Sequence, residues 1–182
     1  VNGAASPIIV IRLPLAIAPQ TAAGLDMPLQ LSSIDIRPAI VADIPELLAI
    51  ETRSFSTDRL SPRAFRHLLT RAQADCLLAQ SVGAILGYAA VFYRAASDVA
   101  RLHSLAVDPA ARGRGVAALI LAAIEDAARK HGAAKLRLAV RTDNAAGVML
   151  YRSRGYRELG TELAYYTDGM SALTMEKVLA VA

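Results

Sequence analysis

Tryptophan is absent from this 182-residue chain, phenylalanine occurs three times and aromatic residues make up only 5%. The net charge is +4, yet the arginines are spread along the chain rather than gathered in a stripe with interleaved aromatics. That pattern suggests an anionic ligand and gives no reason to expect direct nucleic-acid binding. One cysteine, Cys76, excludes an internal disulfide. Its setting, Cys76-Leu77-Leu78-Ala79, marks a buried structural thiol and fits a reducing cytoplasm. No run of about 18 uninterrupted apolar residues occurs, so no membrane span is expected. What is present is a 54% apolar, alanine-rich chain long enough for one domain with a real core.

The first 33 residues contain Pro7, Pro14, Pro19 and Pro28, which break up their apolar runs. Ile8 to Ala18 has the look of a signal-peptide core, but it lacks a basic leader and is interrupted by Arg12 and Pro14. Residues 1–33 are therefore expected to be a poorly structured extension, or sequence upstream of a start at Met27. Ile8 to Leu13 would form at most a stray strand. The folded domain is expected over residues 34–182.

From Ile34 the chain reads as a mixed α/β sequence. Ile34-Asp35-Ile36-Arg37 alternates as a strand and ends at Pro38. Asp43 is placed to cap a helix carrying Pro45, Leu47, Leu48 and Ile50, and Ser61-Pro62 opens another with Phe65, Leu68 and Leu69. His67 lies among these as a surface or helix-packing histidine. Cys76 to Gln80 and Ala84 to Tyr93 form a hairpin about Ser81-Val82-Gly83. Val99 to Val107 is the next strand. Val116, Leu119, Ile120, Ala123, Ile124 and Ala127 mark one face of a long helix closed by His131-Gly132, with Glu125 and Arg129 as an exposed pair. Lys135 to Val140 is a strand, Asn144 to Arg154 a short helix stopped by Gly155, and Tyr156–Leu163 and Ala172–Val178 complete the sheet.

The junction from His103 to Ala118 is the most informative stretch. A strand ending Leu105-Ala106-Val107 runs through Asp108-Pro109 into Arg112-Gly113-Arg114-Gly115, and a helix starts at Val116-Ala117-Ala118. Glycines let backbone N–H groups converge, and a helix N-terminus offers unpaired donors and about half a positive charge, so the junction suits a phosphate. A nucleotide P-loop needs Gly-Lys-Ser/Thr, which is missing. A dinucleotide fingerprint needs a strand running directly into its glycines and an acidic residue closing the next strand; here that strand ends Val140-Arg141. A plain strand–loop–helix with glycines for turning is the remaining alternative.

Arg112-x-x-Gly115-x-Ala117 resembles the acyl-CoA motif of the GNAT N-acetyltransferase superfamily. A second element at the right distance, Asn144-Ala145-Ala146-Gly147-Val148-Met149-Leu150-Tyr151-Arg152-Ser153-Arg154-Gly155-Tyr156, is similar to the family's Asn-x-x-Ala-x-x-Leu-Tyr-x-x-x-Gly-Phe/Tyr, with Gly147 in place of alanine. The likeness covers Ile34 to Lys177 and is greatest to the ribosomal-protein-alanine acetyltransferase, or RimI-like, branch. Tyr165-Tyr166 followed by Asp168-Gly169 also resembles that branch.

The resemblance implies the GNAT fold: a mixed sheet of six to seven strands, splayed at its centre, with about four helices. It implies acetyl-CoA as acetyl donor, no metal, and a cytoplasmic enzyme, monomer or homodimer, acting on a peptide or protein N-terminal amine. Polyamine or aminoglycoside acetylation is an alternative, as is a CoA-binding regulatory module without turnover. Backbone atoms of Leu105, Ala106 and Val107 would hold the pantetheine arm, aided by a bulge. Arg112 to Ala118 would hold the pyrophosphate. Asn144 would bond the arm or cap its helix, Tyr151 would protonate the leaving thiolate, and Tyr165 and Tyr166 would wall the acceptor cleft against Tyr93 and Arg94.

The general base departs from the family pattern. RimI-like enzymes carry glutamate in Leu-Glu-Val-Arg, and this chain reads Leu138-Ala139-Val140-Arg141. Arg101, at another common position for the base, is equally unsuitable. His103, one strand repeat from Arg101, has an unperturbed pKa of about 6.5 and is the local candidate. A half-buried strand histidine is the competing reading, with the proton lost through ordered water or the amine bound already neutral.

Overall fold

In the computed structural model, residues 34–55 and 57–179 are described; the extension expected over residues 1–33, including the strand at Ile8 to Leu13, lies outside them. The first strand, β1 (Asp35–Pro38), pairs antiparallel with β2 (Ala74–Ser81). Between them lie α1 (Ile44–Ser54) and α2 (Pro62–Thr70). Ile44, Leu47 and Ile50 recur at helical spacing and are buried, while the Ser61 hydroxyl accepts a hydrogen bond from Ala64 N at 3.1 Å to start α2. Asp43 precedes α1 but does not cap it with its side chain. Its carboxylate instead takes Arg37 at 2.7 Å and Ile40 N at 2.8 Å, which locks β1 to the helix entry and holds the carboxyl below its ordinary pKa.

Strand β2 turns into β3 (Ala84–Phe92) through Val82 and Gly83, both with positive φ (47° and 77°) as a two-residue hairpin of the right twist requires. Next come β4 (Val99–Val107), α3 (Val116–Lys130), β5 (Lys135–Arg141), α4 (Ala145–Ser153), β6 (Arg157–Glu162) and β7 (Ala172–Val178). The seven-stranded sheet has the order β1-β2-β3-β4-β5-β7-β6. Only β4 and β5 pair in parallel, and the crossover helix α3 joins them.

One face of the sheet packs on α3 and α4 around Leu102, Leu105, Ile120, Ile124, Leu138 and Met175. The other face is covered by α1 and α2 only over β2, β3 and the end of β4, around Phe65, Leu78, Tyr88 and Ala106. Cys76 is in this layer, and burial pushes its thiol up to about 12. Glu125 departs from the expected exposed pair with Arg129. It is buried, accepting from Lys177 Nζ at 2.6 Å and Tyr156 OH at 3.1 Å, and Arg129 pairs with Asp126 instead. Among the described residues no helix is long and apolar enough to cross a membrane.

Candidate active site

The site is built where the sheet comes apart. Strands β4 and β5 pair only through Val99, Ala100 and Arg101 against Lys135, Leu136 and Arg137. Beyond Arg101, β4 keeps its partner on the β3 side, and its other edge has no partner strand among the described residues. The β3–β4 register slips between Ala90 and Val91, which face Ser104 and Leu102, so His103 is the extra residue of a β-bulge. Leu102 and Leu105 consequently both face the α3 layer, while Ser104 and Ala106 turn to the α1–α2 layer.

Strand β4 runs into the glycine stretch expected to hold a phosphate. Asp108 caps a short 3-10 turn (Pro109–Ala111), accepting from Ala110 N at 2.9 Å, and is tied to α1 by Arg53 at 2.5 Å. Gly113 and Gly115 have φ of 74° and 78°, a conformation in which a Cβ is strained, and Gly115 is the N-cap of α3. No acidic side chain occupies the first turn of that 15-residue helix and no side chain caps it, so none competes for its first N–H groups, including those of Val116, Ala117 and Ala118. Arg114 is exposed beside them; Arg112 is half-buried, and burial lowers its pKa.

Across the gap stands α4. Asn144 caps it, its Oδ1 accepting from Gly147 N at 3.0 Å. Tyr151 is fully buried, edge-on to Tyr156 at 5.4 Å, and its hydroxyl has no hydrogen-bond partner among the described residues. Burial first, then the neighbouring Tyr166, drives its pKa well above the usual phenol value, so it stays protonated.

On the sheet face left bare by α1 and α2 lies a cleft of about 830 Å³. Tyr93 and Arg94 line one side, Arg101 and His103 the floor from β4, Arg137 and Ala139 the floor from β5, and Glu162, Tyr165 and Thr174 the far side. His103 has Phe92 edge-on at 5.0 Å, and its Nδ1 is buried without a partner. Desolvation lowers its pKa from 6.5 to about 4. Burial thus keeps His103 neutral at neutral pH and makes it a weaker base than a free imidazole.

Tyr165 lines the cleft; Tyr166 is packed beneath it against Ala139 and Ala172, with the Arg141 guanidinium 5.0 Å from its ring centroid. Arg141 also binds Asp143 at 2.9 Å and Asp168 at 2.7 Å, which fixes the β6–β7 loop. Thr167 in that loop donates to Asp58 in the α1–α2 loop at 2.6 Å, so the two loops clasp each other. His67 sits exposed at the rim.

Three features escaped the sequence reading. Glu51 is buried in α1, accepting from Tyr88 OH and, at 2.8 Å, from Leu60 N, while Tyr88 OH shares a hydrogen bond with Ser104 Oγ at 3.1 Å. This network seats the α1–α2 loop on β4 just after the bulge. Arg137, bound to Glu176 at 2.6 Å, and Glu162, bound to Thr174, complete the cleft. None of these belongs to a spaced motif; the alternation of β5 and β7 was the only available signal for the face they share.

Residues 40–179 match the acetyltransferase (GNAT) domain family. The chain belongs to the GNAT acetyltransferases. This GNAT enzyme is 34% identical over 140 residues to the N-alpha-acetyltransferase RimI of Mycobacterium tuberculosis, spanning 75% of this chain and 87% of that protein. Its fold matches the ribosomal-protein-S18-alanine N-acetyltransferase of Escherichia coli with a TM-score of 0.73 at 28% identity, over 82% of this chain and 96% of the other. The ribosomal-protein-alanine N-acetyltransferase of Brucella melitensis gives 0.69 at 28% identity, over 79% and 99%. The mixed, centrally splayed sheet with four helices is thus the GNAT fold expected from the paired motifs.

Proposed function

We propose that this GNAT enzyme transfers the acetyl group of acetyl-CoA to the α-amine of a peptide or protein N-terminus. The observation that carries the reading is the parting of β4 from β5 after Arg101 and Arg137. It leaves a strand edge running from the acceptor cleft at His103 to the glycine loop at Gly113. An extended, amide-containing arm ending in a pyrophosphate fits such an edge as an added strand would.

The residues present fit acetyl-CoA. Leu105, Ala106 and Val107 would offer backbone groups to the arm, and the amides from Gly113 to Ala118 with Arg112 and Arg114 would take the pyrophosphate. The unpartnered, buried hydroxyl of Tyr151 is the kind of atom a ligand satisfies. Acetyl-CoA supplies an activated acetyl group as a thioester, whose C–S bond breaks as the C–N bond forms. Tyr151 holds the proton that the departing thiolate needs, and burial keeps that proton in place throughout the working pH range. Asn144 acts by fixing the start of α4 and hence Tyr151. Tyr165 and Tyr93 bound the acceptor, and the Asp58–Thr167 clasp holds the two loops between which it enters.

The N-terminal α-amine is preferred because the similar RimI protein is named an N-alpha-acetyltransferase and because the cleft of about 830 Å³ has room for a peptide's end. Thermal unfolding with acetyl-CoA at about 100 times its Kd should show roughly 2.7 kcal/mol of stabilisation. Thiol release should then be fastest with free-amine peptides in a panel that includes polyamines and aminoglycosides. Turnover confined to small amines would overturn the acceptor assignment; binding with no turnover would make the protein a CoA-responsive module.

A further inference from the structure

Ala139 on β5 lines the acceptor cleft, and a methyl group accepts no proton. The sheet nevertheless brings a carboxylate to the same face from another strand. Ala139 on β5 is directly opposite Thr174 on β7. Directly opposed residues of an antiparallel pair share a face, with Cβ atoms about 5 Å apart. Thr174 Oγ1 in turn donates to Glu162 Oε1 at 2.9 Å, from the far side of β7. Glu162 and Ala172 are also opposed, so Glu162, Thr174 and Ala139 lie along one face, and all three line the acceptor cleft.

The second oxygen, Oε2, makes no hydrogen bond or ion pair among the described residues. Arg101 and Arg137 share the cleft, yet neither pairs with Glu162; Arg137 is held by Glu176 at 2.6 Å. The carboxylate is close enough to Tyr165 to oppose ionisation of its phenol, against the opposite effect of Arg101. Glu162 is exposed on an edge strand, so it carries no packing that would explain its position.

We propose that Glu162, positioned by Thr174, is the carboxylate that receives the acceptor's primary ammonium and takes its proton. The ammonium gives one proton to Glu162 Oε2, which passes it to solvent, and the freed electron pair forms the C–N bond as the C–S bond breaks; the second proton that nitrogen loses replaces, through solvent, the one Tyr151 gives to the thiolate. His103, half-buried and uncharged, lines the floor of the same cleft. The inference rests on the acetyltransfer reading above, but it applies to any primary amine, peptide or small.

The test is steady-state kinetics of the full chain and of Glu162→Gln and Thr174→Val, on whichever amine of the panel the unsubstituted enzyme turns over. The pH profile must be read against the other groups in the cleft: His103 and Arg101 from β4, Arg137 from β5, Tyr165, and His67 and Arg94 at the rim. Glu162→Gln should lower kcat/KM about 100-fold and alter the acid limb of its pH profile, with the acetyl-CoA thermal shift unchanged. Thr174→Val should show a smaller loss, mainly in KM, with the same direction of change in the profile. A fall of less than about tenfold in Glu162→Gln, or an unaltered profile, overturns the assignment. Activity of the unsubstituted enzyme on small amines alone removes the peptide acceptor and leaves Glu162 judged by the same two variants. Acetyl-CoA binding without turnover of any amine overturns both.

Discussion

Replacing Tyr151 by phenylalanine should make the protein more stable and a worse enzyme. The ring is fully buried and keeps its edge-on contact with Tyr156, so the substitution removes only the hydroxyl. That hydroxyl has no hydrogen-bond partner among the described residues. A buried polar group without a partner costs about 1–3 kcal/mol, and the small void left behind takes back part of the gain. A net stabilisation of about 1–2 kcal/mol is expected, which at this chain length raises Tm by roughly 2–8 °C. Loss of the acid should lower kcat about 100-fold. Scanning calorimetry and initial rates of thiol release measure the two effects on one preparation. Saturating acetyl-CoA should narrow the Tm difference, because the hydroxyl then has a partner to lose. A Tm that falls in the ligand-free protein would mean the hydroxyl is already satisfied. A kcat within twofold of the original would remove Tyr151 from the chemistry.

His103 provides a pH test with a definite sign. Burial lowers its pKa from 6.5 to about 4, so on acidification the unfolded chain takes up the proton first, and stability is lost as pH falls through that window. The contribution is of order 2–3 kcal/mol after allowance for partial exposure, and urea unfolding at pH 7 and 4.5 should show it vanish in His103→Gln. An acid limb of kcat/KM near pH 6.5 that disappears in the same variant would restore His103 as the base. Gly87→Ala puts a Cβ 2.6 Å from Ala106 O, a backbone atom on β4, and should cost about 2–3 kcal/mol in denaturant unfolding while weakening acetyl-CoA binding. Lys177→Met leaves the buried Glu125 carboxylate with Tyr156 alone and should cost about 2–3 kcal/mol, most of it recovered when Glu125→Leu is added. No recovery in the double variant would show that the pair itself, rather than the stranded charge, is what stabilises.

The parts of this enzyme that could be read in advance are those whose physics is local. The Val82-Gly83 turn, the Ser61 cap, the His131-Gly132 stop and the apolar face of α3 each declare themselves within a few residues. The fold was legible as a whole because two such local elements, the glycine loop and the Asn144–Tyr156 helix, recur together in one family. Residues whose role depends on a partner distant in sequence were not legible. Glu125 has Arg129 at the spacing of an exposed pair, but the partner that decides its burial is Lys177, on the last strand. Asp43 has the right neighbours for a cap and is taken instead by Arg37. His103 carries the ordinary imidazole pKa as a sequence letter; only its burial in the fold, beside Phe92, desolvates it. Glu162 is the sharpest case. In the sequence it is one letter in an exposed strand, 23 positions from Ala139. Two antiparallel pairings bring the two residues to one face, through Thr174. A sheet face repeats every two residues along a strand and continues across to its neighbours, so residues far apart in sequence come to share one cleft.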